Sequence, residues 1–411
     1  MDEAKFITLD NGLTILIYTD RSKSTNHMEL FTFYGGNYSS YIDYNGKKRN
    51  IKEGSAHLLE HYVCENTVSG DLLDNLRKYN VLSCNAGTSA FNTSYFFNTV
   101  CNFYECLDTF LDGIYNVSFT DENLNKTKYA VLNEIRDSQN DEERRIADIR
   151  DRTLFSNCMD NLGSEDSINS MTVNDLKDIY DRIYVPCNQF LVVAGNFDYD
   201  IVLDKIRMFY NNLSFKCNKK LPKIIDKRDI VSKYTTYECN LMDEVTVSFK
   251  IDIRDLSNYD GYKLDWYIGW FLDINFSRYS KINEYINNSD DYIGSIGNSF
   301  YYYNGYLVIE IYALTSLCDD FENIVISTAN GISDDDRELF ELVKKNSLTS
   351  LSVRKDSISN YVRPIEDNYI TFDYAEVDDI DVIKNFSYDD YKKVINSIDF
   401  SYYSVFYRKK K

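Results

Sequence analysis

Two of the chain's three histidines stand in His57-Leu58-Leu59-Glu60-His61. Residues three and four apart share one face of a helix, so His57, Glu60 and His61 project together. Two imidazoles one turn apart form a bidentate clamp for zinc. A carboxylate beside them is placed to take a proton from water activated by that metal. The order H-x-x-E-H reverses the commoner H-E-x-x-H metallopeptidase helix. The competing reading, ordinary histidines on an amphipathic helix, loses weight in a chain of 411 residues with three histidines in all.

A catalytic zinc site needs a third protein ligand and an open position. The best candidate is Glu134, in Tyr129-Ala130-Val131-Leu132-Asn133-Glu134-Ile135-Arg136. The run from Asp121 to about Leu154 lacks Pro and Gly and is expected to form one long helix. Ala130 and Val131 one turn earlier, and Ile135 just after, set this carboxylate at an apolar margin, where burial is costly unless a cation pairs with it. Spacing alone leaves other acids open, and Glu142 and Glu143 on the same expected helix come next.

The elements that position these groups must come from a chain too long for one core, so two to four domains are expected. The absence of an apolar run near eighteen residues argues against a membrane span. No signal peptide is legible at Met1-Asp2-Glu3-Ala4-Lys5, and nine scattered cysteines without C-x-x-C pairs point to free thiols in a reducing compartment. Cytoplasm is the expected location. Forty-five basic against sixty-five acidic residues give a net charge of −20, which argues against nucleic acid or an anionic membrane as partner. Thirty-six tyrosines suit half-buried strands and point to no particular chemistry.

The stretch Ile168–Ile179 is echoed by Ile383–Val394, with Thr172 and Ser387 as expected helix N-caps followed three residues on by an acid. Each helix leads into a strand-like run, Phe190–Ala194 and Tyr402–Tyr407. The 215-position offset is that of a duplicated domain. The basic, Pro-containing stretch Lys216–Lys223 reads as a linker, giving a zinc-bearing domain over 1–215, a linker over 216–231 and a second homologous domain over 232–411. Strand candidates at Thr14–Tyr18, Glu29–Phe33, Thr93–Phe97, Val245–Phe249 and Tyr306–Ile311 come in pairs followed by helices. The expected class is α+β, with a largely antiparallel sheet in each domain and a metal site in the first alone.

These residues resemble the inverted zinc metallopeptidases that include pitrilysin, insulin-degrading enzyme and the mitochondrial processing peptidase. Asn11-Gly12-Leu13 resembles the family's opening N-G-L, and Gly54-Ser55-Ala56-His57-Leu58-Leu59-Glu60-His61 resembles its G-x-A-H-x-x-E-H. Thr67 stands where the family closes this helix with G-T, with Asn66 in place of the glycine. Asn85-Ala86-Gly87-Thr88-Ser89 resembles its N-A-x-T-S strand. Tyr184-Val185-Pro186-Cys187-Asn188 and Val193-Ala194-Gly195-Asn196-Phe197-Asp198 resemble its Y-x-P-x-N and V-x-G-x-x-D.

The resemblance implies zinc on His57, His61 and Glu134, with Glu134 lying 73 positions after His61, slightly closer than is usual. It implies that Glu60 acts as general base in peptide-bond hydrolysis, and that peptide substrate adds as a strand beside Asn85 and Ala86. The family's usual glutamate seven residues before the third ligand is replaced here by Thr127. Members commonly grip substrate with an Arg and a Tyr from the second half-molecule. The corresponding stretch, Ser277–Ile286 and on to Tyr292, puts Asn283 or Glu284 in the arginine slot unless the register is one turn off and Arg278 serves. Tyr292 remains. The implied protein is a zinc endopeptidase acting on small proteins or precursor peptides, paired with a paralogous subunit that supplies the Arg/Tyr pair. The alternative is a non-catalytic peptide-binding or scaffold subunit.

Overall fold

The computed structural model describes residues 4–43, 45–216, 221, 223–277, 280, 282, 293–294, 296–331, 336–373 and 380–411. Tyr292, Arg278, Asn283 and Glu284 therefore lie outside the described residues. The chain divides into two compact units. The first comprises Met1–Glu142, Met159–Pro222 and Asp356–Val362, and the second Glu143–Cys158, Lys223–Lys355 and Arg363–Lys411. The chain thus passes between the units more often than the single crossing drawn from sequence.

In unit 1 the strands are β1 (Ala4–Thr8), β2 (Thr14–Thr19), β3 (Asn26–Thr32), a separate hairpin β4 (Ser40–Ile42) and β5 (Lys48–Asn50), then β6 (Ser83–Thr88), β7 (Thr93–Thr99) and β8 (Gln189–Gly195). The main sheet runs β1-β2-β8-β3-β7-β6, antiparallel throughout except for the β2–β8 pair. Central β3 and β8 are buried along their whole length, whereas β6 at the edge alternates between exposed and half-buried. The helices are α1 (Ser55–Glu65), α2 (Leu72–Arg77), α3 (Phe103–Tyr115), α4 (Asp121–Ser138), α5 (Glu142–Leu154), α6 (Glu165–Ser170), α7 (Val173–Ile183) and α8 (Tyr199–Asn211), of which α5 belongs to unit 2 from Glu143 onward.

The long helix expected from Asp121 to Leu154 is two helices. A turn at Gln139-Asn140-Asp141 divides α4 from α5, with Asn140 and Asp141 bonding back to the carbonyls of Asp137 and Ser138. Gln139 keeps helical backbone and still bonds the Ile135 carbonyl, but the Asn140 side chain donates to the Arg136 carbonyl at 3.3 Å and the i→i−3 bonds tighten the last turn, ending the helix without Gly or Pro.

Unit 2 holds β9 (Tyr234–Cys239), β10 (Glu244–Asp252), helix α9 (Gly261–Phe276), β11 (Ile296–Tyr303), β12 (Tyr306–Ala313), α10 (Cys318–Ala329), α11 (Arg337–Arg354) and β13 (Tyr403–Lys410). Its sheet reads β9-β13-β10-β12-β11, parallel at β9–β13 and antiparallel elsewhere. Strand by strand this is the order and polarity of β2-β8-β3-β7-β6. The two units are copies of one α+β plan, with β1 the extra strand of the first. The echoed caps match as well: Thr172 accepts from the Asp175 N–H in a full capping box, and Ser387 accepts from the Asp390 N–H.

Among the described residues seven cysteines are free thiols. Cys187 departs from the expectation of free thiols throughout, being disulfide-bonded. Among the described residues no helix is long and apolar enough to cross a membrane.

Candidate metal centre

Helix α1 begins where only glycine fits. Gly54 takes φ +78, and a Cβ there would lie 2.4 Å from the Leu162 carbonyl oxygen. Ser55 follows, buried and hydrogen-bonded to the Tyr34 hydroxyl at 2.7 Å. Leu58, Leu59, Tyr62 and Val63 are fully buried, and the helix packs on α2, α3, α4 and on β6 and β7. That face is consumed by the core, so His57 and His61 must emerge on the opposite side.

Helix α4 is capped by Thr120, whose side chain accepts from the Asn123 N–H, and carries Asp121 and Glu122 in its first turn. Leu124, Thr127, Val131 and Ile135 form its buried stripe. Tyr62 of α1 fixes the two helices together, donating to the Ser118 carbonyl at 2.9 Å and accepting from the Thr120 N–H at 2.9 Å. Glu134 sits at the margin of the stripe, its side chain 47% exposed, and turns toward α1.

The fold brings His57, His61 and Glu134 together. His57 Nε2 lies 3.4 Å from Glu134 Oε2, and His61 Nε2 lies 3.5 Å from Glu134 Oε1. The three ligand atoms all fall within 4.8 Å of one another, and the imidazole centroids are 4.7 Å apart. Zinc–ligand bonds of about 2.0–2.1 Å give a tetrahedral edge of about 3.4 Å, which the two imidazole–carboxylate separations match. Electrostatics agree with a cation. Burial pulls the His61 imidazole down, but its hydrogen bond to Glu65 and the charges of Glu134, Glu60 and Glu65 outweigh burial and hold it above the ordinary range. Glu142 and Glu143, the other acids considered, fall on α5, where Glu143 pairs with Arg408 at 3.2 Å.

Glu60 is 7% exposed and accepts a hydrogen bond from Thr88 Oγ1 at 2.8 Å. Burial raises its carboxyl above the ordinary range, opposed by the Thr88 hydrogen bond and the His61 charge and reinforced by Glu134. Thr88 ends β6, so the edge strand and the candidate base are joined by one bond. Asn85 and Ala86 lie on β6, exposed and half-buried, opposite Phe96 and Tyr95 of β7. The other side of β6 pairs with no strand among the described residues.

Three contributors escape a reading by motif. Thr88 stands inside the N-A-x-T-S phrase and shares the β6 face of Ala86 by period-two alternation. Glu65 lies four residues after His61 and accepts from its Nδ1 at 3.3 Å, a pairing that helical spacing alone allows. Thr127, noted only for the acid it replaces, is fully buried and donates to Glu65 at 2.8 Å.

Residues 48–163, which hold all four motif acids and histidines, match the family described as Insulinase (Peptidase family M16). The uncharacterized zinc protease YmfH of Bacillus subtilis is 25% identical over 212 residues, 48% of this chain and 47% of that protein. The matched region thus spans about half the length of the curated relatives it matches. The crystal structure of an M16-like peptidase from Alicyclobacillus acidocaldarius superposes with a TM-score of 0.85 at 20% identity, covering 100% of this chain and 98% of that one. A peptidase M16 inactive domain from Pseudomonas fluorescens superposes with a TM-score of 0.76 at 11% identity, over 99% and 98% of the two chains. The inverted motif and the matched segment make this chain similar to the insulinase, or M16, family of inverted zinc metallopeptidases, and the paired α+β units share the fold of M16-like peptidases.

Proposed function

We propose that the chain is a zinc-dependent endopeptidase that cleaves small proteins or precursor peptides. The observation that carries the reading is the convergence of two imidazoles and a carboxylate at zinc-like spacing, one helical turn from a buried glutamate bonded to an open sheet edge. His57, His61 and Glu134 would hold the metal, which when bound supplies a Lewis acid and an acidified water. Glu60, with its carboxyl raised by burial, accepts the water proton and returns it to the leaving amine. The free side of β6 offers its backbone to an extended peptide. Main-chain hydrogen bonds there provide affinity with little demand on sequence, and the side chains of Asn85 and Ala86 flank the added strand. The β6 end of such a strand lies against Glu60 through Thr88, which brings a peptide bond beside the base.

The same reading holds that a paralogous subunit completes the substrate grip with an Arg and a Tyr, Tyr292 being this chain's own candidate. The test is to purify the chain alone and with a paralogue carrying that pair, then assay both on unstructured peptides. Cleavage that depends on zinc and rises strongly with the paralogue supports the pairing. Full activity from the isolated chain removes the paralogue from the account. Zinc-bound protein without cleavage in either form favours the non-catalytic scaffold.

A further inference from the structure

Thr127 stands where the resemblance leads one to expect an acid, and its hydroxyl instead donates to Glu65, a carboxylate that meets His61. We infer that Glu65 is the positioning residue of the metal centre, its carboxylate having moved from α4 onto α1 while Thr127 became its anchor. The inference rests on the zinc reading above.

The geometry forms one chain of contacts. His61 Nδ1 lies 3.3 Å from Glu65 Oε1, and Thr127 Oγ1 donates to Glu65 Oε2 at 2.8 Å. Asn66 Nδ2 donates in turn to Thr127 Oγ1 at 3.1 Å and to the Tyr62 carbonyl at 3.0 Å. Asn66 also forms the C-cap of α1, so the anchor is tied to the end of the helix that carries both histidines. Both carboxylate oxygens of Glu65 are thereby engaged. An Nδ1–H donated to Glu65 leaves the lone pair on Nε2, the atom 3.5 Å from Glu134. A carboxylate behind a ligating imidazole fixes its tautomer, orients the ring and raises its basicity. Thr127 is fully buried on the α4 stripe, where its hydroxyl meets the carboxylate that lies behind the same imidazole. One carboxylate at this place suffices, and two would repel.

The test uses E65L, T127E/E65L and the full-length wild type. Zinc affinity is measured by chelator competition, and the imidazole tautomers of the metal-free proteins by nitrogen-15 NMR, with three histidines to assign. E65L is expected to weaken zinc by about 10–100-fold. It should also shift His61 away from the Nδ1–H form while thermal unfolding of the metal-free protein changes little. Restoring the acid across the helix pair in T127E/E65L should recover the affinity to within a few-fold of wild type. Wild-type affinity and an unchanged tautomer in E65L overturn the inference, and a double variant as weak as E65L overturns the exchange of positions. If E65L fails to fold, E65Q substitutes: several-fold weaker zinc binding supports the inference and wild-type affinity overturns it. A wild-type protein that binds no zinc overturns both this inference and the reading beneath it.

Discussion

The two units place a helix against the same strand of the same sheet plan and fill the space beyond it differently. In unit 1, α1 lies on edge strand β6 and faces α4. In unit 2, α9 lies on edge strand β11 and faces α11. Each edge strand sends one hydroxyl to an acid on its helix, Thr88 to Glu60 at 2.8 Å and Tyr302 to Asp265 at 2.5 Å. Beyond that shared bond the units part. Between α1 and α4 stand two imidazoles and a half-exposed carboxylate. Between α9 and α11 stands Trp270, its indole N–H bonded to Ser347 at 2.8 Å and its ring edge-on to Phe340 at 5.2 Å. One copy closes its helix pair with apolar packing. The other leaves a polar gap whose charges a bound cation would balance.

The most severe way to break this comparison is at the shared hydroxyl–acid bond. Glu60→Gln keeps shape and all three candidate ligands, so zinc should stay bound while peptide turnover falls about 10²–10⁴-fold. Asp265→Asn should leave turnover and zinc content at wild-type levels. A similar loss of turnover from both variants, in assays at equal zinc occupancy, would erase the functional distinction between the units.

Next in size is the packing of unit 2. Trp270 is 1% exposed, and Trp270→Ala should destabilise unit 2 by about 3–5 kcal/mol in denaturant unfolding. Zinc stoichiometry should remain that of the wild type. Loss of zinc at temperatures where the variant is folded would show that the centre depends on unit 2.

Removing the metal probes the converse. Zinc bound to the native state stabilises by mass action, so a chelator should raise hydrogen exchange in α1 and α4 and leave α9 and α11 unchanged. Equal effects in both helix pairs would contradict a metal site confined to unit 1.

The smallest effect is acid-dependent. Burial alone would push the Asp252 carboxyl up, but the Arg254 guanidinium and N–H and the Arg228 guanidinium hold it at about 2. A depressed folded-state value contributes stability that is complete above about pH 4 and is lost as pH falls toward 2. Asp252→Asn should therefore lower stability near neutrality and flatten its dependence on pH across that window. An unaltered acid limb in urea unfolding from pH 5 to pH 2 would remove Asp252 from the account.

The sequence carried the motif, the strands and the duplication because each is local or periodic. His57, Glu60 and His61 follow helical spacing, and Thr172 and Ser387 announce their caps three residues ahead. Glu134 was legible as a carboxylate on an apolar margin, but its choice over other acids needed the resemblance. The break at Gln139–Asp141 was hidden because side chain-to-backbone competition leaves no Gly or Pro to mark it. Strand β10 shows a different blindness. Val245, Val247, Phe249 and Ile251 face the apolar core, and the alternating Thr246, Ser248, Lys250 and Asp252 read as a solvent face. All four are buried, Lys250 against the end of α5 and Asp252 against Arg228 and Arg254. The Lys250 ammonium donates to the Leu154 carbonyl at 2.7 Å and lies 4.6 Å from the centroids of Phe155 and Tyr306, while Arg150 pairs with Glu310 at 2.9 Å. Alternation reports which face is polar. It does not report that a helix from earlier in the chain returns to cover it.

X-ray absorption at the zinc edge of the purified protein tests the central claim most directly. Seven free thiols among the described residues offer soft ligands elsewhere in the chain, and sulfur and nitrogen or oxygen ligands differ in bond length, about 2.3 Å against about 2.0–2.1 Å. The account predicts one zinc per chain with two imidazoles and oxygen ligands, a signal that collapses in Glu134→Gln. A sulfur shell, or an unchanged spectrum at full occupancy in Glu134→Gln, would contradict it.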